Sequence, residues 1–253
     1  MRNLSGAVCD LASEVVSVLR DGGHRAVVSP NGQGPDAELG VAAVRVLGAD
    51  VLLPSTLHRH PPAPSDLQLV REAVRTFPPG GDASVSTEWS HWAMRDALRR
   101  HDPAAAAPRP VAAEPVGAEP VGGEPVGGEP VGGEPDTAWL SRLTWQELTH
   151  QLAVLGALAV PPAVTGPSPV VAAAAPRTLD LARGFVRAVR RRDWLQAAGA
   201  GRWLAVLDSD ATPVPATLGL ETGLEFVLRM GGADPRVALH AHAAQLLRAG
   251  AAG

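Results

Sequence analysis

Asp50-Val-Leu-Leu-Pro54 is a three-residue apolar run bounded by an acid and a proline, and its reading decides the architecture of the N-terminal half. A run this short, closed by Pro, fits a buried strand. Read so, it is the second of three strands. Arg25-Ala-Val-Val-Ser29 is the first and Ala83–Ser86 a weak third. Apolar residues at helical spacing surround them: Leu4 to Val18 before Asp21-Gly22-Gly23, Asp36 to Leu47 before Gly48, Ser65 to Phe77 before Pro78-Pro79, and Thr87 to His101. The order αβαβαβα predicts a small three-layer α/β domain with a short parallel sheet over residues 1–101.

Glu114–Pro135 is a pentapeptide array, EPVGA followed by three EPVGG units and a closing EP. A period of five matches neither a helix face nor a strand, and each unit carries Pro and Gly. The expectation is a disordered acidic linker over 102–136. It separates the first domain from a mostly α-helical bundle over 137–253, for an α+β protein overall. In the second part Thr144-Trp-Gln-Glu147 is a capping box, and Asp234-Pro235 opens a final helix. Between them, helices are expected from Thr178 to about Ala198, with Leu179, Ala182, Val186 and Val189 inward, and from Thr217. Gly199-Ala-Gly201 reads as a terminator, leaving Arg202–Leu207 as a short apolar segment.

All 22 basic residues are arginine, and the chain has no Lys, Ile or Tyr. The absent residues have A/T-rich codons, which points to a GC-rich bacterial genome. Without lysine, Schiff-base chemistry and a P-loop are excluded. Residues 1–101 hold 10 Arg and 11 acids, 102–136 hold 1 Arg and 7 acids, and 137–253 hold 11 Arg and 8 acids. The net charge of −4 is therefore mostly linker. One cysteine, Cys9, gives no disulfide framework. The N-terminus shows no signal peptide. Leu148–Pro176 is uncharged but broken by Pro161-Pro162, so no membrane span is expected. The protein reads as cytoplasmic.

Two loops would lie beyond the carboxyl ends of the expected strands, where α/β sheets bind ligands. The first contains Gly32-Gln-Gly34-Pro-Asp-Ala37, a G-x-G-x-x-A before a helix, which makes Gly32 and Gly34 candidates for a nucleotide or phosphate loop. No acid follows the next strand to hold a ribose. An Asn-Gly turn before an Asp cap explains the same residues. The second loop contains His58-Arg59-His60, and His58 and His60 are candidate metal ligands lacking an evident third. His240 and His242, at i and i+2 on a helix, point to different faces.

Trp203–Leu207 runs into Asp208-Ser-Asp210-Ala-Thr212. An apolar strand followed by D-x-D-x-T resembles the first motif of haloacid-dehalogenase-type phosphotransferases. The resemblance covers about ten residues and would make Asp208 a nucleophile and Asp210 an acid/base beside Mg²⁺. That family also uses a later Lys and a later acidic pair. This chain has no Lys, and only Glu221, Glu225 and Asp234 follow. An acidic turn explains the stretch equally.

Arg183, Arg187, Arg190 and Arg191 share a helix face and form a candidate contact for an anionic partner. It suits phosphates, an acidic protein or the chain's own acidic array. No helix-turn-helix spacing favours nucleic acid. With no complete catalytic set and no cofactor implied, the expected function is a non-enzymatic two-module interaction or regulatory protein. It would act through protein–protein contacts with an unidentified protein partner. The alternatives are a small-molecule or nucleotide-binding enzyme on the N-terminal domain, and nucleic-acid binding through the arginine stripe.

Overall fold

Asn3 accepts a hydrogen bond from the Gly6 N–H at 2.8 Å and so starts α1, Leu4–Arg20. Its stripe of Val8, Ala12, Val15 and Leu19 is buried. The chain runs through α2 (Pro35–Leu47), a 3-10 turn (Gly48–Leu52), α3 (Leu53–His58), α4 (Pro64–Thr76) and α5 (Val85–His101). Beyond the array come α6 (Ala138–Arg142), α7 (Trp145–Val154), α8 (Pro162–Thr165), α9 (Pro169–Ala174), α10 (Thr178–Arg191), α11 (Trp194–Leu207), α12 (Leu220–Gly231) and α13 (Pro235–Ala251). The computed structural model describes residues 3–28, 35–101, 134–209 and 213–251. The array lies outside the described residues except for Glu134 and Pro135.

Among the described residues there is no strand, so the expected α/β domain with a parallel sheet is overturned and the protein is mostly helical. Each expected strand fails for a physical reason. Asp50–Pro54 continues a helical path, because Pro54 sits in the first turn of α3, where a missing N–H costs nothing. The Val27 and Val28 N–H groups find no neighbouring strand. They donate instead to the two oxygens of Asp66, at 3.0 and 2.9 Å. Ser84 accepts from the Thr87 N–H and so begins α5 within the third expected strand. Runs of three or four apolar residues fit a buried helix turn as well as a strand, and periodicity cannot separate them.

Glycine misleads in the second half for a related reason. Gly199 and Gly201 lie inside α11 instead of ending a helix. A Cβ on Gly199 would meet the Ala153 backbone at 2.9 Å, and one on Gly201 would meet Leu224 at 2.6 Å. These glycines let α11 lie close against α7 and α12. The true break is Arg192 in the left-handed region at φ 58°, after which Asp193 caps α11.

Two cores adjoin. One gathers Val15, Leu19, Val44, Leu52, Val70 and Met94, and takes Val160, Leu239 and Ala243 from beyond the array. The other gathers Leu148, Leu152, Phe185, Trp203, Leu204 and Leu224, and takes Trp89 and Ala93 from α5. The last helix, α13, packs on α11, α12 and α1, and so carries the packing from one core to the other. The helical stretch Ala37–His58 is long and apolar enough to cross a membrane by length and composition, and most of it is buried in this fold.

Candidate functional site

The floor of a wide surface groove is built by α10. Its core face is Leu181, Ala182, Phe185 and Ala188, packed over Gly184. Gly184 is required there, since a Cβ would stand 1.8 Å from the Thr149 hydroxyl. Of the expected inward set, Ala182 is buried and Val186 and Val189 pack against the core, while Leu179 faces outward. Leu179 is 60% exposed and Val186 only partly buried. The helix has two apolar faces, and the second one is left for the surface.

That second face lines a groove of about 940 Å³. Leu179, Val186 and Leu218 supply apolar surface, and Trp145 adds an aromatic wall. Trp145 is the first residue of α7, whose start is fixed by the capping box of Thr144 and Glu147. Arg183, Arg187, Arg190 and Arg191 are all exposed and all line this groove. The structure thus brings the four sequence candidates together in one place. The Arg187 guanidinium lies 5.5 Å from the Trp145 ring centroid, a cation–π contact that holds both side chains. Arg183 reaches Asp180 at 3.3 Å, while Asp180 is also held by Arg177 at 2.7 Å. Arg190 and Arg191 have no ion-pair partner among the described residues. They end the helix, where cations are favoured by the macrodipole. Among the described residues no acid lines the groove. Chemically it offers a positive rim over an apolar floor.

The chain matches no protein-family model, no curated protein and no solved structure. The candidate site therefore rests on geometry.

The remaining sequence candidates scatter. Gly32 and Gly34 lie outside the described residues. His58 and His60 do approach, at 6.5 Å between ring centroids, and His24 lies tilted against His60 at 4.4 Å. His58 donates from Nε2–H to the Leu19 carbonyl at 3.1 Å. Among the described residues no group of three or more His, Cys, Asp or Glu is placed to hold a metal. Asp208 follows a helix, not a strand. It accepts from the Val214 N–H and from Arg248 at 3.0 Å, while Asp210 and Thr212 lie outside the described residues. The apolar segment that the dehalogenase resemblance requires as a strand is the last part of α11.

Sequence reasoning missed a buried centre. Arg202, fully buried on α11, donates from Nη1 to both oxygens of Asp50, at 2.8 and 2.9 Å, and from Nε to the Ala159 carbonyl at 3.2 Å. The same Nη1 lies 3.4 Å from His240 Nδ1. Burial lowers the His240 pKa to about 4, against a smaller opposing pull from Asp50. The signal was present in composition. Arg202 is the sole charge in the fourteen residues of α11, and a lone charge in such a run requires a buried partner.

Proposed function

We propose that this is a non-enzymatic, cytoplasmic interaction protein that docks an acidic amphipathic segment of a partner protein along α10. One observation carries the reading: four exposed arginines rim a groove whose floor is Leu179, Val186 and Leu218 and whose wall is Trp145. An acidic helix with one apolar stripe complements both parts at once. Aromatic and arginine side chains together are what protein interfaces enrich. A nucleic-acid duplex would use the arginines but would leave the apolar floor without a function. The enzyme alternative relied on loops at a sheet edge, and among the described residues the fold has no sheet.

The test uses fluorescence anisotropy of a labelled helical peptide with Leu at i, i+4 and Glu elsewhere, titrated with the full chain. Micromolar binding is expected, about tenfold weaker or more in Arg190→Glu/Arg191→Glu, and weaker in Leu179→Ser. Equal binding by these variants would overturn the proposal. So would tighter binding of a DNA duplex than of the peptide.

A further inference from the structure

A second cavity, of about 300 Å³, opens where the two cores adjoin. Its walls include Val8 of α1, Leu47 of α2 and Leu239 of α13, with Asp50 and His240 as polar groups within them. Val46 and Val154 also line it and are 56% and 59% exposed, which puts them at its mouth. We infer that this cavity binds a small uncharged ligand with an apolar body and a primary carboxamide.

The hydrogen-bonding capacity of the polar groups follows from Arg202. A guanidinium only donates, so His240 Nδ1 accepts and the ring proton sits on Nε2. His240 can therefore offer a ligand one donor. Asp50, held on both oxygens by Arg202 Nη1, offers acceptor lone pairs. One fixed donor and one fixed acceptor, oriented by a single buried nitrogen, match the carbonyl and the NH₂ of a carboxamide. The apolar walls take the rest of the ligand, in the manner of most small-molecule sites.

Charge excludes ionic ligands. Asp50 is answered by Arg202. Arg236, on the cavity wall, is answered by Asp234 at 2.7 Å. Asp193 and His150 stand at the exposed rim, where solvent reaches them, and Asp193 caps α11. A charged group placed at the buried end, beside Asp50 and His240, would be desolvated without a free opposite charge to meet it. Arg202 itself stands behind the lining, where it holds Asp50 in place.

The test is saturation-transfer NMR on the full chain with benzamide as probe, and with benzoate and benzylamine as charged controls. Transfer to benzamide is expected, with affinity falling about fivefold or more in His240→Gln. Val154→Trp and Val46→Trp place a ring at the mouth from positions already exposed. Each should abolish transfer while leaving the circular dichroism spectrum unchanged. No transfer to benzamide in the wild-type chain would overturn the inference. So would unchanged binding in both mouth variants, or binding of either charged control as tightly as benzamide.

Discussion

Arg202 and Asp50 are separated by 152 positions in the chain, yet Arg202 Nη1 lies 2.8 and 2.9 Å from the two Asp50 oxygens with both residues buried. This ion pair joins the N-terminal helices to the C-terminal ones. Removing one member leaves a buried charge with nothing to meet it. Asp50→Asn or Arg202→Met should therefore each cost about 3–5 kcal/mol. The double variant should cost clearly less than the sum of the singles. Urea denaturation of the four proteins checks this, and strict additivity would show that the pair is not coupled.

His240 makes stability depend on pH. Its pKa is lowered from 6.5 to about 4 in the folded chain, so below pH 6.5 the unfolded chain takes up a proton that the folded chain refuses. The neutral ring favours folding fully above pH 6.5. Stability is lost as pH falls from there towards 4, by about 3 kcal/mol in all. Asp50 and Arg202 face the ring, and Arg236 and Asp234 act on it through space. Burial shifts His101 and His242 in the same direction, and raises Asp66 in a way that works against the loss. The difference between wild type and His240→Gln isolates this residue. Parallel stability curves from pH 7 to pH 4 would contradict the assignment.

Several helix ends were legible in the sequence, and among the described residues there is no strand to be read. Asp21-Gly22-Gly23 after α1, the capping box at Thr144 and Asp234-Pro235 before α13 stand where local chemistry places them. Capping depends on neighbours three residues apart. The failures were all of longer range. Whether Val51, Leu52 and Leu53 form a strand depends on what packs over them. Whether Gly199 ends a helix depends on Ala153 lying against it. The four groove arginines were legible because i, i+4 spacing fixes a face. Leu179 was misassigned to the core because α10 has two apolar faces, and Val186 stands between them. The lone charge of Arg202 in its apolar run signalled a buried partner, but only the tertiary fold shows that the partner is Asp50 with His240 beside it.

Glycine at close helix contacts gives a sharp contrast. Gly184→Ala forces a methyl onto the Thr149 hydroxyl and should destabilise by about 3 kcal/mol. Gly40 lies within α2, and a methyl there would have no atom within 4 Å, so Gly40→Ala should stabilise by about 0.5–1 kcal/mol. Thermal melts of the two variants should move in opposite directions.

The described residues stop at His101, the last residue of α5. They resume at Glu134, whose carboxyl is raised by burial and by Asp96, a residue of α5. The residues that flank the segment thus stand at one helix end. Replacing 102–133 with a short Gly/Ser linker should leave the melting temperature within a few degrees of wild type. Peptide affinity for the groove should change by less than about twofold. A marked tightening would assign the groove to the chain's own acidic array.

Hydrogen-exchange mass spectrometry with and without the acidic amphipathic peptide tests the docking reading most directly, because it locates the contact on the chain. Protection confined to α10, the start of α7 and the Pro215–Leu218 turn is the expected result. Protection elsewhere, or none at peptide concentrations that saturate the anisotropy signal, would contradict it.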